Sequence, residues 1–148
     1  MIHAAQNGWA VPVYSEKWQS DENYERCAGD LLASYPSIEL ALGSHNLRSL
    51  GAALAFAENK SLPRNALEVQ MLYGMAEPFK TSLVRMGYRL RDYDPIGELI
   101  PGLSYLVRRL LENSANDSFL KQIFLSQREV SDLLRDPRQT KRTRLEIL

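Results

Sequence analysis

The chain has 148 residues, enough for one domain with a buried core. Eighteen Lys and Arg balance eighteen Asp and Glu, so bulk charge gives a nucleic-acid partner no support. Cys27 is the one cysteine, and His3 and His45 lie far apart, which excludes a disulfide framework and leaves no metal-ligand spacing.

No targeting segment is visible. Residues 1–6 lack the cationic flank and apolar run of a signal peptide. The longest apolar run falls far short of the roughly 20 residues that span a bilayer. A cytoplasmic location is the expectation by default.

In chain order, a leading helix is expected over residues 21–33, entered from Pro12, with Cys27 as a small apolar residue. Three strand-like runs follow, each trailed by a helical run. Residues 38–43 read as a strand and 47–59 as a helix with Asn46 as N-cap. Residues 67–72 form the second strand. Residues 77–86 form the second helix, with Pro78 in its first turn and Gly87 as its stop. Residues 88–93 form the third strand. Asp94-Pro95-Ile96-Gly97 breaks the chain, and 103–112 is the third helix. Residues 1–125 make this unit. The stretch 126–148 reads as a linker or frayed tail, with one short helix over 127–134 and a basic run, Lys141-Arg142-Thr143-Arg144.

Strands separated by helices at this spacing imply parallel pairing through right-handed crossovers. The fold class is α/β. A doubly wound sheet and a segment of a (βα)₈ barrel both satisfy it. No Gly-rich phosphate loop follows a strand, which weakens the doubly wound dinucleotide reading. A closed barrel takes about 250 residues. Three βα units and a leading helix amount to a partial barrel.

Strand parity separates two faces. Leu67, Val69 and Met71 share one, and Glu68, Gln70 and Leu72 the other. Likewise Leu90 opposes Arg89, Arg91 and Tyr93, and Ile38, Leu40 and Leu42 oppose Glu39, Ala41, Gly43 and His45. Glu39 and Glu68 are expected to meet Arg89 and Arg91 as a structural salt-bridge layer. A polar lumen beneath a charged ligand is compatible with that.

Tyr105, Arg108, Arg109 and Glu112 stand at i, i+3, i+4 and i+7 and form one helical stripe. Leu103, Leu106, Val107, Leu110 and Leu111 cover the opposite face. A solvated face with Arg–Glu pairs would explain the stripe. Two guanidiniums would also suit a carboxylate or phosphate, because each presents a planar fork of donors. In parallel α/β folds ligands sit at the C-terminal ends of strands. Those ends here carry Gly43-Ser44-His45-Asn46, Leu72-Tyr73-Gly74-Met75 and Tyr93-Asp94-Pro95. Ser44, His45 and Asn46 stand where a helix N-terminus would hold an anion. Plain N-capping by Ser44 or Asn46 is the alternative.

Three runs carry a family resemblance. Leu67-Glu68-Val69-Gln70-Met71-Leu72-Tyr73-Gly74-Met75, Tyr93-Asp94-Pro95-Ile96-Gly97 and Tyr105-Leu106-Val107-Arg108-Arg109-Leu110-Leu111-Glu112-Asn113 resemble the closing barrel segments of proline dehydrogenase. The nearest likeness is to the bifunctional proline utilization A flavoenzymes. Ser44-His45-Asn46 resembles the Thr/Ser-His-Asn that ends that family's sixth strand.

The resemblance implies a TIM-like (βα)₈ barrel that binds FAD and oxidises L-proline to Δ1-pyrroline-5-carboxylate. Electrons would pass to a quinone, with peripheral contact at the membrane. Arg108 and Arg109 would pair with the proline carboxylate. Tyr93 and Tyr105 would line the pocket, and Leu72 would pack on the ring. Ser44, His45 and Asn46 would contact the FAD phosphates or ribose. Glu112 would orient the arginines or meet the cofactor, and Lys17 would touch the cofactor. The family's first five strands, with its catalytic lysine and aspartate, have no counterpart here, nor does the aldehyde dehydrogenase domain of bifunctional members. The expectation is the C-terminal half of a barrel, inactive alone. Two further readings stand beside it. One is a non-catalytic remnant that binds a partner chain, such as the missing barrel half. The other is an unrelated α/β domain that binds a carboxylate or phosphate.

Overall fold

The structure, a computed structural model, describes residues 4, 6–10, 12–115 and 134–139, with backbone alone at 110–115. Four helices and three strands follow one another as α1 (Lys17–Ala33), β1 (Leu40–Gly43), α2 (Leu47–Asn59), β2 (Leu67–Leu72), α3 (Glu77–Arg85), β3 (Arg89–Tyr93) and α4 (Leu99–Ala115). A single 3₁₀ turn, Arg64–Ala66, leads into β2.

The sheet has the order β1-β2-β3 and both pairings are parallel. Leu42 stands beside Val69, and Val69 beside Leu90. This is three consecutive βα units, as the alternation predicts. The helix-facing side of the strands is apolar. Leu40, Leu42, Leu67, Val69 and Met71 meet Ala28 and Leu32 of α1, Leu50, Ala53, Leu54 and Ala57 of α2, and Leu83 of α3 in one core. Burial of these side chains is the main stabilising term.

Three elements start two or more residues from the expected position, each for a local reason. Helix α1 starts at Lys17 because Glu16 and Gln19 form a reciprocal capping box there. Strand β1 starts at Leu40, since the Ile38 N–H donates to Ser34 O at 3.2 Å and closes a turn after α1. Helix α4 starts at Leu99, four residues before the expected position. Pro101 falls in its first turn, where a missing N–H costs nothing, and Gly102 N–H already donates to Glu98 O at 3.1 Å. Gly87 does stop α3: its φ of 82° admits the left-handed turn that brings Tyr88 N–H to Leu83 O at 3.1 Å.

The opposite side of the sheet carries charge. Arg91 grips Glu68 with two nitrogens, Nε at 2.9 Å and Nη2 at 3.1 Å, and Gln70 Nε2 donates to the same carboxylate at 2.8 Å. Arg89 lies 3.9 Å from Glu39. The salt-bridge layer read from strand parity is therefore present. Glu68 is buried, 6% exposed. Hydrogen bonds from Gln70, then Arg91, hold its carboxyl below its ordinary value of 4.5, against the opposing effect of burial.

A group lowered in the folded state adds stability above its unfolded value and loses it as pH falls toward the folded one. The stability gap between the native chain and Glu68→Gln should be widest above the ordinary value of 4.5 and should narrow as pH falls below it toward the lowered folded value. Urea unfolding at several pH values measures it. A gap that stays constant across that range would show that Glu68 is not the responsible group.

The segment 134–139 lies by the first two helices. Pro137 is buried, and Arg138 Nη2 pairs with Asp136 Oδ2 at 3.1 Å. Arg138 lowers the Asp136 carboxyl, with a further contribution from Arg48 of α2. The helix expected over 127–134 and the basic run 141–144 lie outside the described residues. Among the described residues no helix is long and apolar enough to cross a membrane.

Candidate functional site

The parallel pairing brings all three strand C-termini to one edge of the sheet. Leu72 and Tyr93 are register partners, both on the charged side. The ladder runs one step further, with Tyr73 N–H donating to Tyr93 O at 3.2 Å. The loop after β1 reaches the same edge. His45 Nε2 accepts from Leu72 N–H at 3.1 Å. An acceptor at Nε2 places the proton of the neutral ring on Nδ1. Burial, and next the Lys80 ammonium, keep this imidazole below its ordinary value of 6.5.

Helix α2 starts at this edge. Asn46 is its N-cap, and its side-chain oxygen accepts from Arg48 N–H at 3.2 Å and Ser49 N–H at 3.5 Å. Ser44 Oγ accepts from Asn46 N–H at 3.1 Å. The capping reading therefore holds for Asn46, whose oxygen is committed. The Ser44 hydroxyl hydrogen, the His45 Nδ1–H and the Leu47 N–H are the donors of this turn that those bonds do not use. That set matches a phosphate.

Helix α4 lies at the end of β3. The rings of Tyr93 and Tyr105 are 5.5 Å apart at 34°, and the Arg109 guanidinium lies 5.6 Å from the centroid of Tyr105. Arg108 and Arg109 are both exposed. Tyr93, Tyr105, Arg109 and Leu72 are thus gathered at the strand ends, with His45 hydrogen-bonded to Leu72. The Glu112 side chain, with those of Leu110 and Leu111, lies outside the described residues. Of the rest of the expected apolar face of α4, Leu103 and Val107 are exposed and Leu106 is half-buried. Lys17 pairs with Asp21 of its own helix at 2.5 Å. Among the described residues, no hydrogen bond or ion pair links Lys17 to the strand ends.

Sequence reasoning missed a buried charge beside this edge. Lys80 of α3 pairs with Glu77 at 2.9 Å and with Asp92 of β3 at 2.8 Å. Burial pulls its pKa down, but hydrogen bonds to Asp92 and Glu77, and their charges, leave it above 10.5. The signal was there: Asp92 has the same strand parity as Leu90, so a carboxylate points at the helix layer and needs a cation. Two further groups fasten α1 to α2. Glu25 pairs with Arg48 and accepts from Ser49 Oγ at 3.1 Å.

The arrangement resembles known proteins. Residues 1–122 match the proline dehydrogenase family. The chain is 36% identical over 132 residues to the bifunctional protein PutA of Klebsiella aerogenes, covering 85% of this chain and 10% of that protein. It is 33% identical over 107 residues to proline dehydrogenase 2 of Bacillus subtilis, covering 72% of this chain and 34% of that protein. The crystal structure of proline utilization A from Bdellovibrio bacteriovorus, inactivated by N-propargylglycine, superposes with a TM-score of 0.84 at 54% identity. That match covers 94% of this chain and 14% of the other. The chain spans about a tenth of the length of the bifunctional relatives and about a third of the Bacillus subtilis enzyme. The alternative of an unrelated α/β domain falls away, and the chain belongs to the proline dehydrogenase family.

Proposed function

We propose that this chain supplies the substrate-carboxylate and cofactor-phosphate side of a flavin-dependent proline dehydrogenase site, built at the ends of β1, β2 and β3. The observation that carries the reading is the stacking of Tyr93 on Tyr105, with Arg109 over the second ring. It supports a role for the Arg109 guanidinium, with Arg108 beside it on α4, at the strand ends, where a barrel binds its ligand. Arg108 and Arg109 bind the carboxylate of L-proline. Tyr93, Tyr105 and Leu72 enclose its ring and exclude water. Ser44 and His45 donate to the FAD phosphates at the N-terminus of α2. Glu112 orients the arginines. Lys17, at the start of α1, is the weakest member of the set, since its ammonium already faces Asp21.

FAD, when bound, accepts the hydride that converts L-proline to Δ1-pyrroline-5-carboxylate. A quinone takes the electrons, at a cytoplasmic site peripheral to the membrane. Residues 1–125 are the barrel part of the chain and 126–148 its tail. The described sheet has three strands, while a barrel of this type closes with eight. Further strands, on the same polypeptide or on another, therefore complete the barrel.

The test is complementation. The 148-residue chain is purified alone and also co-expressed with the first five strands of a PutA relative. Flavin absorbance and proline-dependent dye reduction are expected in the pair and absent from the chain alone. Turnover by the chain alone would remove the need for a partner. A folded pair without flavin or turnover would remove the proposed function.

A further inference from the structure

Lys80 is 3% exposed, and its two ion pairs go to carboxylates outside the proposed pocket. Burying an ammonium is costly unless carboxylates receive it. Here two do. Glu77 lies one turn back on α3 at 2.9 Å, and Asp92 lies across on β3 at 2.8 Å. Asp92 is the residue before Tyr93, and strand parity points the two side chains to opposite faces. The backbone there is tied as well. Asp92 is registered on Met71 and Tyr93 on Leu72, and Leu72 donates its N–H to His45. One buried cation thus stands behind both the last residues of β3 and the histidine that bridges β1 to β2.

We propose that Lys80 is a positioning residue for the strand-end pocket: its ion pair with Asp92 fixes the end of β3, and through it the Tyr93 ring against Tyr105. The proposal rests on reading that cluster as the substrate pocket, where side chains must be held within about 0.5 Å to be productive. The same ammonium also disfavours a charged His45, so it preserves the lone pair that Leu72 uses. Its ion-pair partners are Glu77 and Asp92, and its charge reaches His45.

The experiment is NMR of the 148-residue chain and its Lys80→Met and Lys80→Arg variants. It needs neither proline nor flavin, so failure of the proposed function and failure of this inference are separable. Two readouts are followed: cross-peaks between the Tyr93 and Tyr105 rings, and the titration midpoint of His45. Methionine keeps most of the lysine stem and removes the charge. In Lys80→Met the cross-peaks should fall severalfold and the His45 midpoint should rise toward 6.5. Amide protection between β1 and β2 should stay. Lys80→Arg should keep the ring cross-peaks. If Lys80 only fills space, Lys80→Met leaves both readouts where they are, and that result overturns the proposal. Should Lys80→Met fail to fold, pairing it with Asp92→Leu exchanges the buried ion pair for an apolar one, a change proteins often accept. The Tyr93–Tyr105 cross-peaks must still fall in that double variant, because the ion pair that fixes the end of β3 is gone. Unchanged cross-peaks overturn the proposal as well.

Discussion

Arg108→Met and Arg109→Met, made singly in the complemented barrel, should each weaken the use of L-proline by about 2–4 kcal/mol. That is roughly 30- to 1000-fold in kcat/KM. In the proposed site each guanidinium supplies a charged fork to the substrate carboxylate, and the completed barrel shields the arginines that are exposed in this chain. The carboxylate does not change during oxidation of the ring. Its contacts are alike in ground and transition states, so the loss should fall mainly on KM. Arg109 should also show a smaller effect on ring placement, because it stacks on Tyr105. Arg85→Met, an exposed arginine of α3, serves as the control and should leave KM unchanged. Steady-state dye reduction across a range of proline concentrations measures all three. Wild-type KM in both site variants would mean that the carboxylate is held elsewhere.

Most of the fold was legible because its signals are local. Asn46 before an apolar-periodic run set the start of α2, and the structure begins it at Leu47. Gly87 needed a left-handed φ, and α3 stops there. The alternation of 67–72 gave a strand with the same bounds in the structure. Errors arose where a residue's usual meaning depends on position. Pro101-Gly102 reads as a break in mid-helix but is harmless in a first turn. Ile38 has strand propensity, but its N–H was already taken by the turn after α1.

The pocket was legible in part. Parity alone placed Leu72 and Tyr93 on one face, and the register makes them neighbours. The spacing of Tyr105 and Arg109 put them on one stripe, and the cation lies over the ring. Contacts between distant segments were not legible. Nothing in the spacing of residues 45 and 72 foretells a histidine accepting a backbone N–H across two strands. Lys80 was passed over because a lysine in an amphipathic helix usually faces water. Its partner Asp92 was the clue, a carboxylate at an apolar parity position.

The chain's core and its proposed site lie on opposite sides of the sheet, which leads to the last prediction. Leu50 of α2 is 0% exposed in the core between helices and strands. Leu50→Ala removes its contacts and leaves a cavity, at about 2–5 kcal/mol. A domain of this size is stable by only about 5–15 kcal/mol, so the unfolding midpoint in urea should drop by roughly a third at mid-range. Leu99 of α4 has the same side chain but is 80% exposed. In this chain Leu99→Ala should stay within about 0.5 kcal/mol of wild type. Equal losses in the two variants would mean that α4 packs as deeply as α2, contrary to the exposure of Leu99, Ile100 and Leu103. In the complemented barrel the two kinds of variant should separate. Leu50→Ala should lower the unfolding midpoint and leave the KM for proline near wild type, because Leu50 lies across the sheet from Tyr93. Arg108→Met should do the reverse, since an exposed arginine contributes little to the core. A KM that followed stability in both would show that the pocket is held by global folding rather than by the local ties at the ends of the strands.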